Sequence, residues 1–527
     1  MTSPTGAAAR RPRPAFLVAL AVLAALTLWL YRPWDPRPFD TVDFSEFLPL
    51  LHGDGGPLTR LSRVVGYYVH EHGRFNLVSY VALVAKWELF GAHAAWWHWL
   101  RAAEMLAIVA GVYILLRRLN AGVVGAGAGA ALFICSRISG EGWIRLTMGE
   151  PLGTLLMLGA LILATEWRRD PSVRRGLAIG ALVVGSVLAK EMLAGLAPMV
   201  WLVGAMRDPD GRLGEPPVRR NALELLGWVG IPAVVTFGAA ALIALGARGE
   251  GFTTLYGSST PGLATFIESW QRPWQIQGFQ TAPASWLLPA NTLLGLLTLA
   301  GLVVVAVRGS SEDRRHVIWA AGCALTLSAT YAVLYLPWPF SSQYYAMPFL
   351  IGPALLLAVS LTAIERHAAR GRWVAWMAST VMLVAATSST ARAAHLSIAL
   401  EQVNGELATA LAGYADADSI VVARRQVWPY EWLGAGPRLR RYVVATGLAP
   451  AMPPAVDRLC NEVGPMFGRV GARVVIVSHL HICGALPLAT ARFRRTEPYL
   501  TVTWKAVDMA TDTVGVDLLA LYQRPSP

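Results

Sequence analysis

The sequence predicts an all-α polytopic membrane protein of about eleven transmembrane helices, followed by a small C-terminal extracytoplasmic α/β domain. Of its 527 residues, 55% are hydrophobic and only 15% are charged, whereas soluble domains have about 25% charged residues. Apolar runs long enough to cross about 30 Å of hydrocarbon recur between residues 15 and 390. The arginine clusters between these runs fall in every second loop, which is the pattern of a membrane protein with one fixed orientation.

The first apolar run, residues 15–30, follows a basic segment that includes Arg10, Arg11 and Arg13. We expect a retained signal anchor with a cytoplasmic N-terminus, because no clear small-residue cleavage site ends the run. The alternative is a cleaved signal peptide. The further predicted spans are residues 99–116, 121–137, 151–166, 174–190, 191–206, 222–247, 286–307, 316–336, 345–364 and 373–390.

The arginine clusters set the orientation of these spans. With a cytoplasmic N-terminus every cluster is cytoplasmic, and the odd number of spans places the C-terminal domain outside the cytoplasm, in an inner or plasma membrane protein. We therefore predict a transmembrane domain of residues 1–390 and a domain of residues 391–527, with a helix at 401–414 and strands at 419–423, 473–477 and 516–521. The clusters are residues 117–118, 168–175, 207–220, 308–315 and 366–372.

A long polar segment, residues 31–98, separates the first two spans. Segments of this length are usually functional or disordered, and its many aromatic residues argue against disorder. Apolar residues at helical spacing predict interfacial helices at residues 44–51 and 58–68. Residues 75–90 are predicted to be a further surface helix, because a span there would reverse the phase of every later arginine cluster. We interpret the segment as half of an active site at a membrane surface.

Charged residues converge on the predicted outer side. Ionisable groups at membrane depth are costly and are often functional. The alternative is that they are ordinary solvated loop residues, which fits Lys190 and Glu191 least, because almost no loop surrounds them. The converging residues are Asp40, Asp43 and Glu46; His70, His72 and Arg74; Arg137, Glu141, Arg145 and Glu150; and Lys190 with Glu191.

This constellation resembles the polytopic GT-C glycosyltransferases, which include the protein O-mannosyltransferases and the lipid A aminoarabinose transferases. The resemblance covers about residues 15–390 and departs from the family in one respect, since the usual paired Asp-Glu is spread out as Asp40-x-x-Asp43-x-x-Glu46. The matching features are an acid soon after the first span (Asp40 or Asp43), the Glu150-Pro151 turn, the Ala189-Lys190-Glu191 segment and the segment from Gln343 to Pro348.

The resemblance implies transfer of a sugar from a polyprenyl-phosphate lipid to an extracytoplasmic glycan, lipid or protein. A phosphate leaving group needs no protonation, so one carboxylate acting as base on the acceptor hydroxyl can suffice. The predicted base is Asp43, with Asp40 as the reserve. Arginine and lysine would hold the leaving phosphate. The predicted substrate-binding residues are Arg74, Arg145, Glu150, Lys190, Glu191 and Tyr344.

The rival hypothesis is a transporter or flippase for a lipid-linked or anionic substrate. A transporter should show repeated halves and broken helices with charges near mid-membrane, and the sequence shows neither. A third hypothesis is a non-catalytic assembly or lipid-binding membrane protein. The sequence contains no nucleic-acid-binding motif, and it predicts neither a cofactor nor a protein metal site, with a role for a divalent metal left open.

Overall fold

The structure, a computed structural model, describes most of the chain between residues 14 and 412 and a set of strands beyond it. The described residues are 14–35, 47, 50–51, 55–167, 170–205, 216–246, 262–278, 286–336, 343–368, 370–412 and the strands between 419 and 522.

The described part up to residue 412 is helical. The first helices are α1 (Pro14–Tyr31), α2 (Pro57–His72), α3 (Leu77–Phe90), α4 (Ala94–Arg118), α5 (Val123–Cys135), α6 (Arg137–Ile144), α7 (Glu150–Trp167), α8 (Val173–Ala189) and α9 (Ala197–Ala205). The later helices are α10 (Pro216–Gly246), α11 (Leu263–Gln271), α12 (Pro289–Arg308), α13 (Ser311–Tyr335), α14 (Ile351–His367) and α15 (Gly371–Ala412). Short 3-10 segments occupy Glu191–Leu196, Arg272–Trp274 and Gln343–Leu350.

Among the described residues, seven helical segments are long and apolar enough to cross a membrane, or eight if the bent pair α5–α6 forms one span. This supports a polytopic membrane fold, and the number of about eleven spans stays a prediction. The runs predicted at residues 151–166, 174–190 and 191–206 are helical, and α8 has 17 residues, at the lower end of the range of about 17–25 residues for a membrane span. The run 191–206 is broken into a 3-10 segment and α9, and α7 carries glutamates near both ends.

The segment between α1 and α4 forms short helices that pack on one another. A hydrophobic cluster between α2 and α3 includes Val64 and Tyr80. Phe47 stacks on Tyr68 with ring centroids 4.6 Å apart, so the predicted helix at 44–51 contacts this cluster at that position. The helix α3 has 14 residues and is not among the candidate spans. Its position at the outer membrane surface stays a prediction.

The most apolar stretch of the segment Tyr344–His367, which includes α14, is completely buried. The helix α14 packs against α5, α12 and α13. Small residues let these backbones approach closely. A Cβ atom on Gly125 of α5 would lie 2.4 Å from the carbonyl oxygen of Ala358, and one on Gly301 of α12 would lie 2.3 Å from the Cβ of Ser360. Such contacts are typical of membrane helices, whose association depends on close van der Waals packing.

The strands after α15 are β1 (Ser419–Arg424), β2 (Tyr442–Thr446), β3 (Phe467–Arg469), β4 (Val474–His479), β5 (Arg492–Thr496), β6 (Tyr499–Asp508) and β7 (Thr513–Tyr522). They form a mixed sheet in the order β2-β1-β4-β7-β6-β5, with β3 beside β4. Pairing is parallel between β1 and β2 and between β1 and β4, and antiparallel elsewhere. The three predicted strands coincide with β1, β4 and β7, whereas α15 continues through the predicted domain boundary at residue 390. The α/β domain and its extracytoplasmic location stay predictions.

Candidate active site

A buried ion pair between two helix ends lies at the centre of the candidate site. The Nζ atom of Lys190 is 3.0 Å from Oε1 of Glu150, and the two side chains are 8% and 1% exposed. Lys190 follows α8 in an extended conformation, and Glu150 is the first residue of α7. A buried charge is tolerated only when it is paired or used. Lys190 is therefore not an ordinary solvated loop residue.

Glycines in and next to α7 bring this pair together. A Cβ atom on Gly149 would lie 2.2 Å from both the carbonyl oxygen of Ala189 and the Oγ atom of Ser79. Two hydroxyl groups fix the same contact. The Ser79 hydroxyl donates to the carbonyl of Ala189 at 2.6 Å, and the Ser186 hydroxyl donates to the carbonyl of Gly153 at 2.8 Å. The end of α8 is thus held against α7 and α3, which fixes the position of Lys190.

The turn after α2 brings Arg74 to the same place. Gly73 has φ 58° in the left-handed region, and its N–H group and that of Arg74 donate to carbonyls of the last turn of α2. This arrangement ends a helix and favours glycine. Arg74 interacts electrostatically with both Lys190 and Glu191, and Glu191 also forms a hydrogen bond with the side chain of Asn76.

Two adjacent tyrosines of the 3-10 segment Gln343–Leu350 carry the site's other cationic contacts. The guanidinium carbon of Arg145 lies 4.8 Å from the ring centroid of Tyr344, and Nζ of Lys190 lies 5.1 Å from that of Tyr345. The two ring centroids are 4.2 Å apart. Cation–π contacts of this kind orient a cation without neutralising it. Arg145 and Lys190 are therefore held close together on neighbouring rings.

A second buried ionic network shapes the loop that connects Arg145 to Glu150. Arg101 donates to the carbonyls of Leu146 and Met148 at 2.8 and 3.3 Å, and it pairs with Glu104 at 2.7 Å. Glu104 also pairs with Lys86 of α3 at 2.8 Å. Burial lowers the pKa of Lys86, although the contact with Glu104 acts in the opposite direction.

The sequence analysis did not single out Arg101 or Glu104, because both lie near the start of a predicted apolar span. One signal was available. An arginine followed three residues later by a glutamate places opposite charges on one helix face, and charged residues inside a span are functional candidates by default.

The predicted bases Asp40 and Asp43 lie outside the described residues, as does Glu46. All six residues predicted to bind substrate lie in the described part, and the contacts above bring them into one region. Their roles stay predictions. Within the described residues, no group of three or more His, Cys, Asp or Glu side chains could hold a metal ion.

No protein-family model and no curated protein matches the chain. Among solved structures, the chain is similar to ArnT from Cupriavidus metallidurans in the apo state, at 13% identity and a TM-score of 0.49, over 96% of this chain and 97% of that chain. The same enzyme bound to undecaprenyl phosphate matches at 12% identity and a TM-score of 0.46, over 96% of this chain and 98% of that chain.

The Archaeoglobus fulgidus oligosaccharyltransferase, in a complex with Zn and sulfate, is similar at 12% identity and a TM-score of 0.47, over 81% of this chain and 62% of that chain. These proteins are GT-C glycosyltransferases, the class that the sequence resembles. At such values the likeness adds no argument about the residues or the substrates of this chain.

Proposed function

We propose that the protein is an integral-membrane glycosyltransferase that moves a sugar from a polyprenyl-phosphate donor to an extracytoplasmic acceptor. The observation that carries the proposal is the buried Lys190–Glu150 pair, together with the cations Arg74 and Arg145 and the tyrosine pair beside it. Burying several charges at one place is costly, and in a membrane protein such clusters are usually retained for function.

The chemistry of a phosphate leaving group matches this cluster. As the bond between the anomeric carbon and the phosphate oxygen breaks, negative charge grows on the phosphate, and Lys190, Arg145 and Arg74 would stabilise it. Glu150 would hold the Lys190 ammonium in position at a distance of 3.0 Å. The polyprenyl chain would lie along a groove between the membrane helices, so no nucleotide-binding domain is needed.

The remaining requirement is a base that takes the proton of the acceptor hydroxyl as the new glycosidic bond forms. We assign this role to Asp43, with Asp40 as the reserve. Both follow α1 in residues 31–98. The later part of this segment contains Ser79, which donates to the carbonyl of Ala189, and Arg74, which interacts electrostatically with Lys190. The acid and Arg74 would then approach the donor from the same segment of the chain, and Arg145 and Lys190 from two other segments.

A flippase remains the second candidate, because one observation favours it. The helices α5 and α6 form a pair bent by 53°, and broken helices beside a charged site are common in transporters. The two functions differ in product. A transferase breaks the sugar–phosphate bond, whereas a flippase moves the intact donor across the bilayer.

Purified protein in sealed vesicles can be given several labelled polyprenyl-phosphate sugars and a mixture of acceptors. Mass spectrometry should detect a glycosylated acceptor and free polyprenyl phosphate. As a control, the Arg220→Gln variant alters an exposed ion pair in α10 and should retain activity. Movement of intact donor without any bond cleavage would overturn the transferase proposal and support the flippase.

A further inference from the structure

An open cavity of about 640 Å³ lies among the ends of α4, α13 and α14. Its volume is within the range of about 300–1,000 Å³ that is usual for ligand pockets. None of the residues discussed at the Lys190 site lines it. Its polar lining includes Arg117, Asn120, Glu312, Asp313, His316 and Arg366.

The cavity lies at the end of the bundle opposite to Lys190. Near the start of α7, Arg101 contacts the carbonyl of Leu146, whereas Arg118 pairs with Glu166 near the end of α7 at 2.8 Å. Arg117, which lines the cavity, is therefore at the arginine-rich end. The positive-inside rule places that end at the cytoplasmic surface, where phospholipid headgroups lie.

The carboxylates of the cavity are not equivalent. Asp313 accepts from the hydroxyl of Ser310 at 2.7 Å and contacts His367 at 3.0 Å and Arg366 at 3.4 Å. The exposed side chain of Glu312, in contrast, makes no hydrogen bond or ion pair with another described residue. The cavity thus presents two guanidinium groups and one carboxylate that is available to a ligand.

Apolar residues lie both in the cavity lining and close to it in the sequence. The floor includes Val317 and Val359, which are 3% and 4% exposed. Next to this lining along the chain, Val307 and Ile318 are 71% and 70% exposed. A ligand with a charged headgroup and apolar chains would match this succession of polar and apolar surfaces.

We propose that this cavity binds the headgroup of a zwitterionic phospholipid that carries a primary ammonium group. The phosphodiester would accept hydrogen bonds from Arg117 and Arg366, and the ammonium would donate to Glu312. The acyl chains would lie against Val307 and Ile318. This inference does not depend on the reaction at the Lys190 site.

The test uses the full-length protein, stripped of lipid in detergent, and native mass spectrometry with phosphatidylethanolamine, phosphatidylcholine and phosphatidylglycerol of identical acyl chains. Phosphatidylethanolamine should bind about tenfold more tightly than the other two lipids, because only its headgroup carries an ammonium that can donate a charge-assisted hydrogen bond to Glu312. Glu312→Gln should make phosphatidylethanolamine and phosphatidylcholine bind equally tightly. Arg117→Gln should weaken all three about tenfold.

Arg118→Gln is the matched control, because Arg118 is the next arginine but does not line the cavity. It should leave the lipid preference unchanged. Glu312→Lys, on an exposed side chain, should transfer the preference to phosphatidylglycerol while the protein stays folded. Equal losses of lipid affinity in Arg117→Gln and Arg118→Gln would overturn the proposal and indicate a general basic surface. Wild-type binding that favours phosphatidylglycerol would do the same.

Discussion

At the scale of single residues, Lys190 and Glu150 depend on each other. Each is nearly inaccessible to water, so the loss of either partner leaves an uncompensated charge in the interior. A buried pair of this kind contributes little net stability compared with well-packed apolar residues. The proposed function explains its presence by the binding of a charged ligand.

Lys190→Met should lower the free energy of unfolding by about 3–5 kcal/mol, because it leaves Glu150 buried without its partner. The double variant Lys190→Met with Glu150→Leu should recover most of this loss and still bind polyprenyl phosphate poorly. Melting temperatures and lipid binding measured on the same samples check both expectations. A double variant that binds the lipid like the wild type would assign the pair a purely structural role.

Gly149 is required by the contact between α7 and α8. Gly149→Ala should destabilise the protein by about 1–3 kcal/mol, because the new methyl group meets a backbone carbonyl 2.2 Å away. The matched control is Gly127→Ala, since a Cβ atom there has no neighbour within 4 Å. Thermal unfolding of the two variants should separate clearly, and equal behaviour would contradict the proposed close approach.

At the scale of elements, the network of Lys86, Glu104 and Arg101 connects α3, α4 and the loop before α7. Its members do not belong to the cluster that we assign to the donor phosphate. Arg101 acts through the loop carbonyls, so we regard it as a positioning residue for Arg145 and Glu150.

Arg101→Lys keeps the positive charge but removes the guanidinium group that donates to two backbone carbonyls. The resulting displacement of the loop should lower kcat/KM by about tenfold to a hundredfold, with a smaller change in melting temperature than Lys190→Met causes. Arg118→Lys, which alters an ion pair at the other end of α7, serves as the control. Unchanged kinetics for Arg101→Lys would show that the network only stabilises the fold.

The sequence predicted the positions of most helices, because apolar runs bounded by charged residues reveal where helices begin and end. It did not predict that residues 191–206 are divided into a 3-10 segment and the short helix α9. One face of α8 packs against other helices, whereas Val173 and Leu177 on the same helix are exposed, and apolarity alone does not separate protein contact from lipid contact. The distant pairing of Arg101 with the loop before α7 has no local sequence signal.

At the scale of the whole molecule, the arginine clusters predict one orientation. Reporters fused after Arg118, Arg169, Arg220, Arg315 and Arg370 should report the cytoplasm, and reporters after Gly55, Gly257 and Gly413 should report the outside. A protease-protection or alkaline-phosphatase assay distinguishes the two sides. An outside signal at Arg220 would break this scheme and move the cavity at Arg117 away from the cytoplasmic leaflet.

The candidate site was predictable where charges interrupt apolar runs, as at Lys190 and Glu150. The convergence of these residues depends on contacts that sequence spacing does not encode, such as the hydrogen bond from Ser79 to the carbonyl of Ala189. The choice between Asp43 and Asp40 stays a prediction, because neither lies among the described residues.

The central claim is that Asp43, or Asp40 as the reserve, removes the acceptor proton while Lys190, Arg145 and Arg74 hold the donor phosphate. The most direct test measures sugar transfer and donor binding together in Asp43→Asn, Asp40→Asn and Lys190→Ala. We predict that Asp43→Asn lowers turnover by about a hundredfold or more with donor binding retained, whereas Lys190→Ala weakens both. Near-normal turnover in both Asp43→Asn and Asp40→Asn would contradict the account.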